Sequence, residues 1–207
     1  NSTDFNLELF DKQMYSLSPV KIASPKTRII DYQRIDKTNQ NELFTTIFYA
    51  GEAEDTIRLA RVQILLNLLH NEVFDQLRTK LKLGYVVGAK MFITHRSIYI
   101  ALVVQTLHMD KARREVEKFY SHFEGYLSKF DSETFEQKKN AAISSLAQKK
   151  NNFADEVYEK WSEWVLGLPL SLKEKISLGI KHSCNLEDIQ KLYLEIFKDV
   201  RSNKVIL

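Results

Sequence analysis

Between residues 53 and 80, apolar side chains recur every three or four positions: Leu59, Val62, Leu66, Leu69, Val73 and Leu77. Ile64, Leu65 and Leu68 widen this stripe beyond the narrow seam of an ordinary surface helix. The spacing predicts one long helix over residues 53–80. A face this broad has to be buried, and the simplest cover is a sheet.

The flanking segments supply such a sheet. "TRIIDYQRID", the polar "KTNQNE" and "LFTTIFYA" read as strand, loop and strand. Two more strands are predicted at 85–93 and 97–107, joined by "THR". A helix at about 110–129 carries Val116, Phe119, Tyr120, Phe123 and Leu127 on one face, and "FDSETF" offers a Ser or Asp cap to another at about 132–150. Further helices are expected at about 154–166, with Trp161 and Trp164, and at about 170–180. The last helix is "NLEDIQKLYLEIF", where Asn185 caps and Glu187 and Asp188 meet the positive end of the dipole; "NKVIL" is a final strand. Hairpins alternating with long helices define an α+β fold, a two-layer sandwich with a mainly antiparallel sheet and long helices packed on one face. Residues 1–26, punctuated by Pro19 and Pro25, read as a lead-in from a preceding domain with a short helix at 4–14. Residues 27–207 read as a single domain.

Several function classes fall away. The formal charge of +3 is spread among acids without a basic stripe, which argues against nucleic-acid binding. No apolar run approaches the roughly 18 residues that span a bilayer. The single cysteine, Cys184, permits no internal disulfide and favours a reducing, intracellular compartment. The chain starts at Asn1 with no signal-peptide pattern, as a processed or excised segment would. None of the five histidines, His70, His95, His108, His122 and His182, has a second histidine at helical ligand spacing, so no metal site is expected. His182 and Cys184 lie two residues apart and do not share a helix face. Nucleophile elbows, phosphate-binding glycine loops and paired carboxylates are also missing, so the residues specify no self-sufficient active site and no cofactor of their own.

One segment, "LRTKLKLGYVVGAK" at 77–90, resists a purely structural reading. Arg78 suits the last turn of a helix, Gly84 suits a left-handed helix stop, and Tyr85 suits a strand start. The same turn could instead aim Arg78 and Tyr85 into one space, where a guanidinium and a phenol donate hydrogen bonds to peptide carbonyls. The residues alone leave both readings open.

"LRTKLKLGYVV" is similar to a motif of the insulin-degrading-enzyme family of zinc metallopeptidases (insulysin and pitrilysin, M16), of the form Leu-Arg-Thr-Lys-x-Gln-Leu-Gly-Tyr-x-Val. "LHNEVFDQLRTK", "FYSHFEGYLSKFDSETFEQKKNAAISSLAQK", "EKWSEW" and "NLEDIQKLYLEIF" extend the resemblance in order from about residue 27 onward. Leu81 and Lys82 stand where the family has an acidic residue and a glutamine. The resemblance implies the non-catalytic C-terminal domain of a clamshell enzyme. Its zinc would lie in the N-terminal catalytic half of the same polypeptide, on an inverted His-x-x-Glu-His motif. This domain would close the chamber around a peptide and lend Arg78 and Tyr85 to substrate and transition-state binding. The alternative is a catalytically inactive relative in which the fold serves assembly, and the upstream sequence would discriminate the two.

Overall fold

The computed structural model describes residues 27–30, 40–94, 96–148, 152–169, 171–198 and 204–206. The helix expected at 4–14 and the later part of "TRIIDYQRID" fall outside the described residues. The described chain runs β1 (Arg28–Ile29), β2 (Glu42–Glu52), α1 (Thr56–Val73), a π-helix (Phe74–Lys80), β3 (Val87–Thr94), β4 (Ser97–Thr106), α2 (Met109–Leu127), α3 (Ser132–Ala147), α4 (Phe153–Val165), α5 (Leu172–Ser183), α6 (Leu186–Phe197) and β5 (Lys204–Ile206). The sheet order is β1-β5-β2-β4-β3, antiparallel except for the edge pair β1–β5. The architecture is the expected α+β sandwich.

Strand alternation explains which side the helices cover. Phe44, Thr46, Phe48 and Ala50 of β2 are buried, and they share a face with Ile98, Ile100, Leu102 and Val104 of β4. Val87 and Ala89 of β3 and Ile206 of β5 extend that face across the sheet. Leu43 and Phe92, on the other face, are exposed. Helices α2 and α6 lock onto the covered side. Thr46 Oγ1 lies 2.5 Å from the Tyr120 hydroxyl, and the Phe48 ring packs against Tyr120 and Phe197 at 5.4 and 4.7 Å.

Helix α1 is more deeply enclosed than its stripe predicts. The sheet lies on one side, with α3, α5 and α6 around the other, so Leu59, Ala60, Val62, Ile64, Leu65, Leu68 and Leu69 are all buried. At the α1–α5 crossing, a Cβ on Gly179 would stand only 2.8 Å from Ala60 Cβ. Two arginines tie the outer face of α1 to α6. Arg58 makes a forked pair with Glu195 at 2.8 and 2.9 Å, and Arg61 reaches Asp188 at 2.8 Å.

Several boundaries differ from expectation. Asp55 accepts from Arg58 N–H at 2.8 Å, so α1 starts at Thr56 rather than at residue 53. Asp131, Asn152 and Asn185 cap α3, α4 and α6 in the same way, at 2.7, 2.9 and 2.8 Å. Cys184 is buried between α5 and α6, and burial pushes its thiol up to about 11. Its raised folded-state pKa contributes stability that is fully present below the unfolded thiol range, roughly 8.5, and is lost as pH rises through about 11. At pH 8, a disulfide reagent should therefore label Cys184 at only about a hundredth of the rate seen in denaturant; equal rates in the two conditions would contradict this burial.

Candidate functional site

The predicted site lies where α1 gives way to β3. There the helix widens. From Phe74 to Lys80 the backbone is a π-helix, and Leu81 N–H donates to Gln76 O at 3.0 Å, five residues back. Side chains brace this turn from both sides. Lys80 pairs with Asp75 at 2.7 Å, and that hydrogen bond holds its ammonium above the usual lysine range. Thr79 Oγ1 donates to Phe74 O at 3.3 Å.

Behind the π-helix, the buried Glu72 carboxylate accepts from Gln76 Nε2 at 2.7 Å and from His122 Nε2 of α2 at 2.8 Å. A buried carboxylate needs such donors. Together they couple the end of α1, the π-helix and α2. Sequence reasoning missed this cluster and the π-helix itself. The available signal was an acid set between buried Leu69 and Val73 on an otherwise apolar stripe.

Gly84 works differently from the left-handed stop expected of it. The left-handed residue is Lys82, at φ 49°, and Gly84 does not adopt a positive φ. Gly84 is required instead by a close approach. A Cβ there would sit 1.6 Å from the carbonyl oxygen of Gln105, and the next peptide is stitched to β4 by Gln105 N–H donating to Val86 O at 2.7 Å. Tyr85 follows in a bend and precedes β3, which begins at Val87 rather than at residue 85.

The structure brings Arg78 and Tyr85 together. The Arg78 guanidinium carbon lies 4.6 Å from the Phe74 ring centroid and 5.5 Å from that of Tyr85. Contact with two rings orients the guanidinium by cation–π attraction while its N–H groups stay available at the edge. Tyr85 is 82% exposed. Among the described residues, neither the guanidinium nor the phenol hydroxyl has a hydrogen-bond partner. The arrangement can donate to the carbonyl oxygens of an extended peptide. Among the same residues, no group of three or more His, Cys, Asp or Glu side chains gathers to hold a metal ion, and no helix is long and apolar enough to cross a membrane.

This helix-covered antiparallel sheet, with a polar motif at one end, has counterparts among known proteins. A sequence-family profile described as the PQQ synthase PqqF-like C-terminal lobe, domain 4, matches residues 64–161. The A-factor-processing enzyme of Saccharomyces cerevisiae is 29% identical over 154 residues, covering 73% of this chain and 14% of that protein. Among solved structures, pitrilysin superposes with a TM-score of 0.66 at 16% identity, covering 81% of this chain and 18% of its own. A peptidase M16 inactive domain from Pseudomonas fluorescens superposes with a TM-score of 0.60 at 18% identity, covering 89% and 44%. The chain is thus similar to C-terminal domains of M16 peptidase-like proteins, and it shares their fold. It spans only about a seventh of the length of the yeast relative it matches.

The Gly84 contact carries its own test. Gly84→Ala should lower unfolding free energy by about 3 kcal/mol, since the added methyl overlaps backbone that cannot swing aside. Urea denaturation measures this. A loss under half a kcal/mol would show that the close approach to Gln105 is dispensable.

Proposed function

We propose that this chain forms part of the closed peptide-binding chamber of an insulysin-like zinc metalloendopeptidase, and that Arg78 and Tyr85 act on the bound peptide there. The carrying observation is that these two donors, separated by the wide turn and Gly84, stand side by side above a buried base of Glu72, Leu77 and Leu83. Groups held only by structural duty would be expected to have partners within the fold.

The division of labour follows from donor chemistry. The Arg78 fork is permanently charged and suits carbonyl oxygens of an extended backbone, which it would bind and orient. The Tyr85 hydroxyl is a single donor on a short, stiff arm. It would polarise the scissile carbonyl and stabilise the negative charge that develops on its oxygen in the transition state. The zinc that activates water in such an enzyme would be held by the N-terminal half of the same polypeptide. The described residues here assemble no donor set for it.

Both roles can be read kinetically in the full-length polypeptide that carries this chain. Tyr85→Phe should lower kcat by on the order of 10²–10³ with little change in KM, as expected for loss of one transition-state donor. An unchanged kcat would return Tyr85 to a structural role. Arg78→Ala should raise KM as well as lower kcat, because the fork binds the ground state too. A variant whose only defect is thermal stability would reduce Arg78 to a brace for the Phe74 and Tyr85 rings.

A further inference from the structure

The pair formed by Glu72 and His122 stands apart from the Arg78–Tyr85 site, and the division of labour between those two donors makes no use of it. Glu72 belongs to the last turn of α1, and its side chain is only 10% exposed. His122 comes from α2 and is 47% exposed. Its ring borders a cleft of about 510 Å³ that Gln76, Lys80, Ser121 and Tyr126 also line. Truncating His122 would therefore enlarge an open cleft rather than leave a void in the core. The ring serves the fold less by packing than by donating to a carboxylate that water barely reaches.

That carboxylate leads to Arg78. Its second donor is Gln76 Nε2 at 2.7 Å, and Gln76 is the residue on which the wide turn is built. The Gln76 carbonyl accepts Leu81 N–H at 3.0 Å, and Arg78 lies within the loop that this bond closes. The imidazole holds the carboxylate, the carboxylate holds the Gln76 amide, and the Gln76 backbone holds the turn that carries the guanidinium. The Lys80–Asp75 and Thr79–Phe74 bonds lie inside the π-helix and fasten it to no other element. Among the described residues, the hydrogen-bonded link from this turn to a neighbouring helix runs through Glu72. Without His122, the buried carboxylate would keep Gln76 as its principal donor and turn toward water in the cleft. Gln76 would follow it, and the turn would lose its register with the Phe74 and Tyr85 rings.

We propose that His122 is a positioning residue, which acts through Glu72 and Gln76 to fix the wide turn and so aim the Arg78 guanidinium at the bound peptide. The inference rests on the substrate-binding role proposed for Arg78 and names the group that sets its orientation.

A double-mutant cycle in the full-length polypeptide tests this, with kcat/KM measured on an internally quenched fluorogenic peptide. His122→Ala should lower kcat/KM by about tenfold, with KM raised as it is by loss of Arg78. His122→Gln, whose amide nitrogen can donate to Glu72 in place of Nε2, should restore kcat/KM to within about twofold. In an Arg78→Ala background, His122→Ala should cost less than about twofold more, because the group it positions is gone. Losses that simply multiply in the double variant would overturn this inference alone. So would a defect that glutamine leaves in place, or a His122→Ala variant altered only in melting temperature. No cleavage by the unaltered polypeptide, or an Arg78→Ala variant with unchanged kcat/KM, would overturn the role assigned to Arg78 and this inference with it.

Discussion

The enclosure of α1 is the constraint on which the rest of the structure depends. Most helices in a two-layer sandwich have one face for the sheet and one for water. This helix keeps Ile64 and Leu68 as dry as Leu59 and Leu69, because the sheet covers one side and α3, α5 and α6 close over the other. It is the axis around which both layers are assembled. Three of its polar residues are tethers: Arg58 and Arg61 to α6, and Glu72 to α2. Removing a methylene from such a helix leaves a void that no neighbour can fill without moving a whole layer.

That rigidity is transmitted to the end of the helix. The π-helix begins where the enclosed part stops, and it is pinned beneath by Glu72 with Gln76 and His122, and at its exposed side by Asp75 with Lys80. On the far side of the loop, Gly84 lets the backbone press against Gln105 before Tyr85 emerges. Arg78 is thus fixed from the helical layer and Tyr85 from the sheet. The Phe74 ring and the two anchored backbones therefore restrict the rotamer freedom that exposed arginine and tyrosine side chains normally keep.

Much of this was legible in the sequence, for identifiable reasons. Elements with strong periodicity were readable: the stripe from Leu59 to Leu77, the face from Val116 to Leu127, and the alternation of β2 and β4 each force one secondary structure. The Asn185 cap followed from side-chain chemistry that acts within four residues. Arg78 and Tyr85 were found as candidates, and the structure brings them together. The errors came from interactions between residues distant in sequence. Backbone freedom alone makes Gly84 a helix stop, whereas its role is set by Gln105 on another strand. The π-helix has no composition signature, and Glu72 looked like an interruption until His122 arrived from α2. Periodicity shows α4 as a helix bearing Trp161 and Trp164, but not that Phe153 and Trp161 face outward.

The π-helix has one more consequence. A π turn holds one residue more than the α turn it replaces. Taking a single residue out of the 74–80 stretch would restore ordinary helical winding, and the side chains within the turn would be re-registered about the axis while those beyond it kept their places. Arg78 would swing off the Phe74 ring and away from Tyr85, while the buried scaffold before Val73 would be untouched. One codon's gain or loss in this stretch would thus decide whether the Arg78 guanidinium and the Tyr85 ring meet.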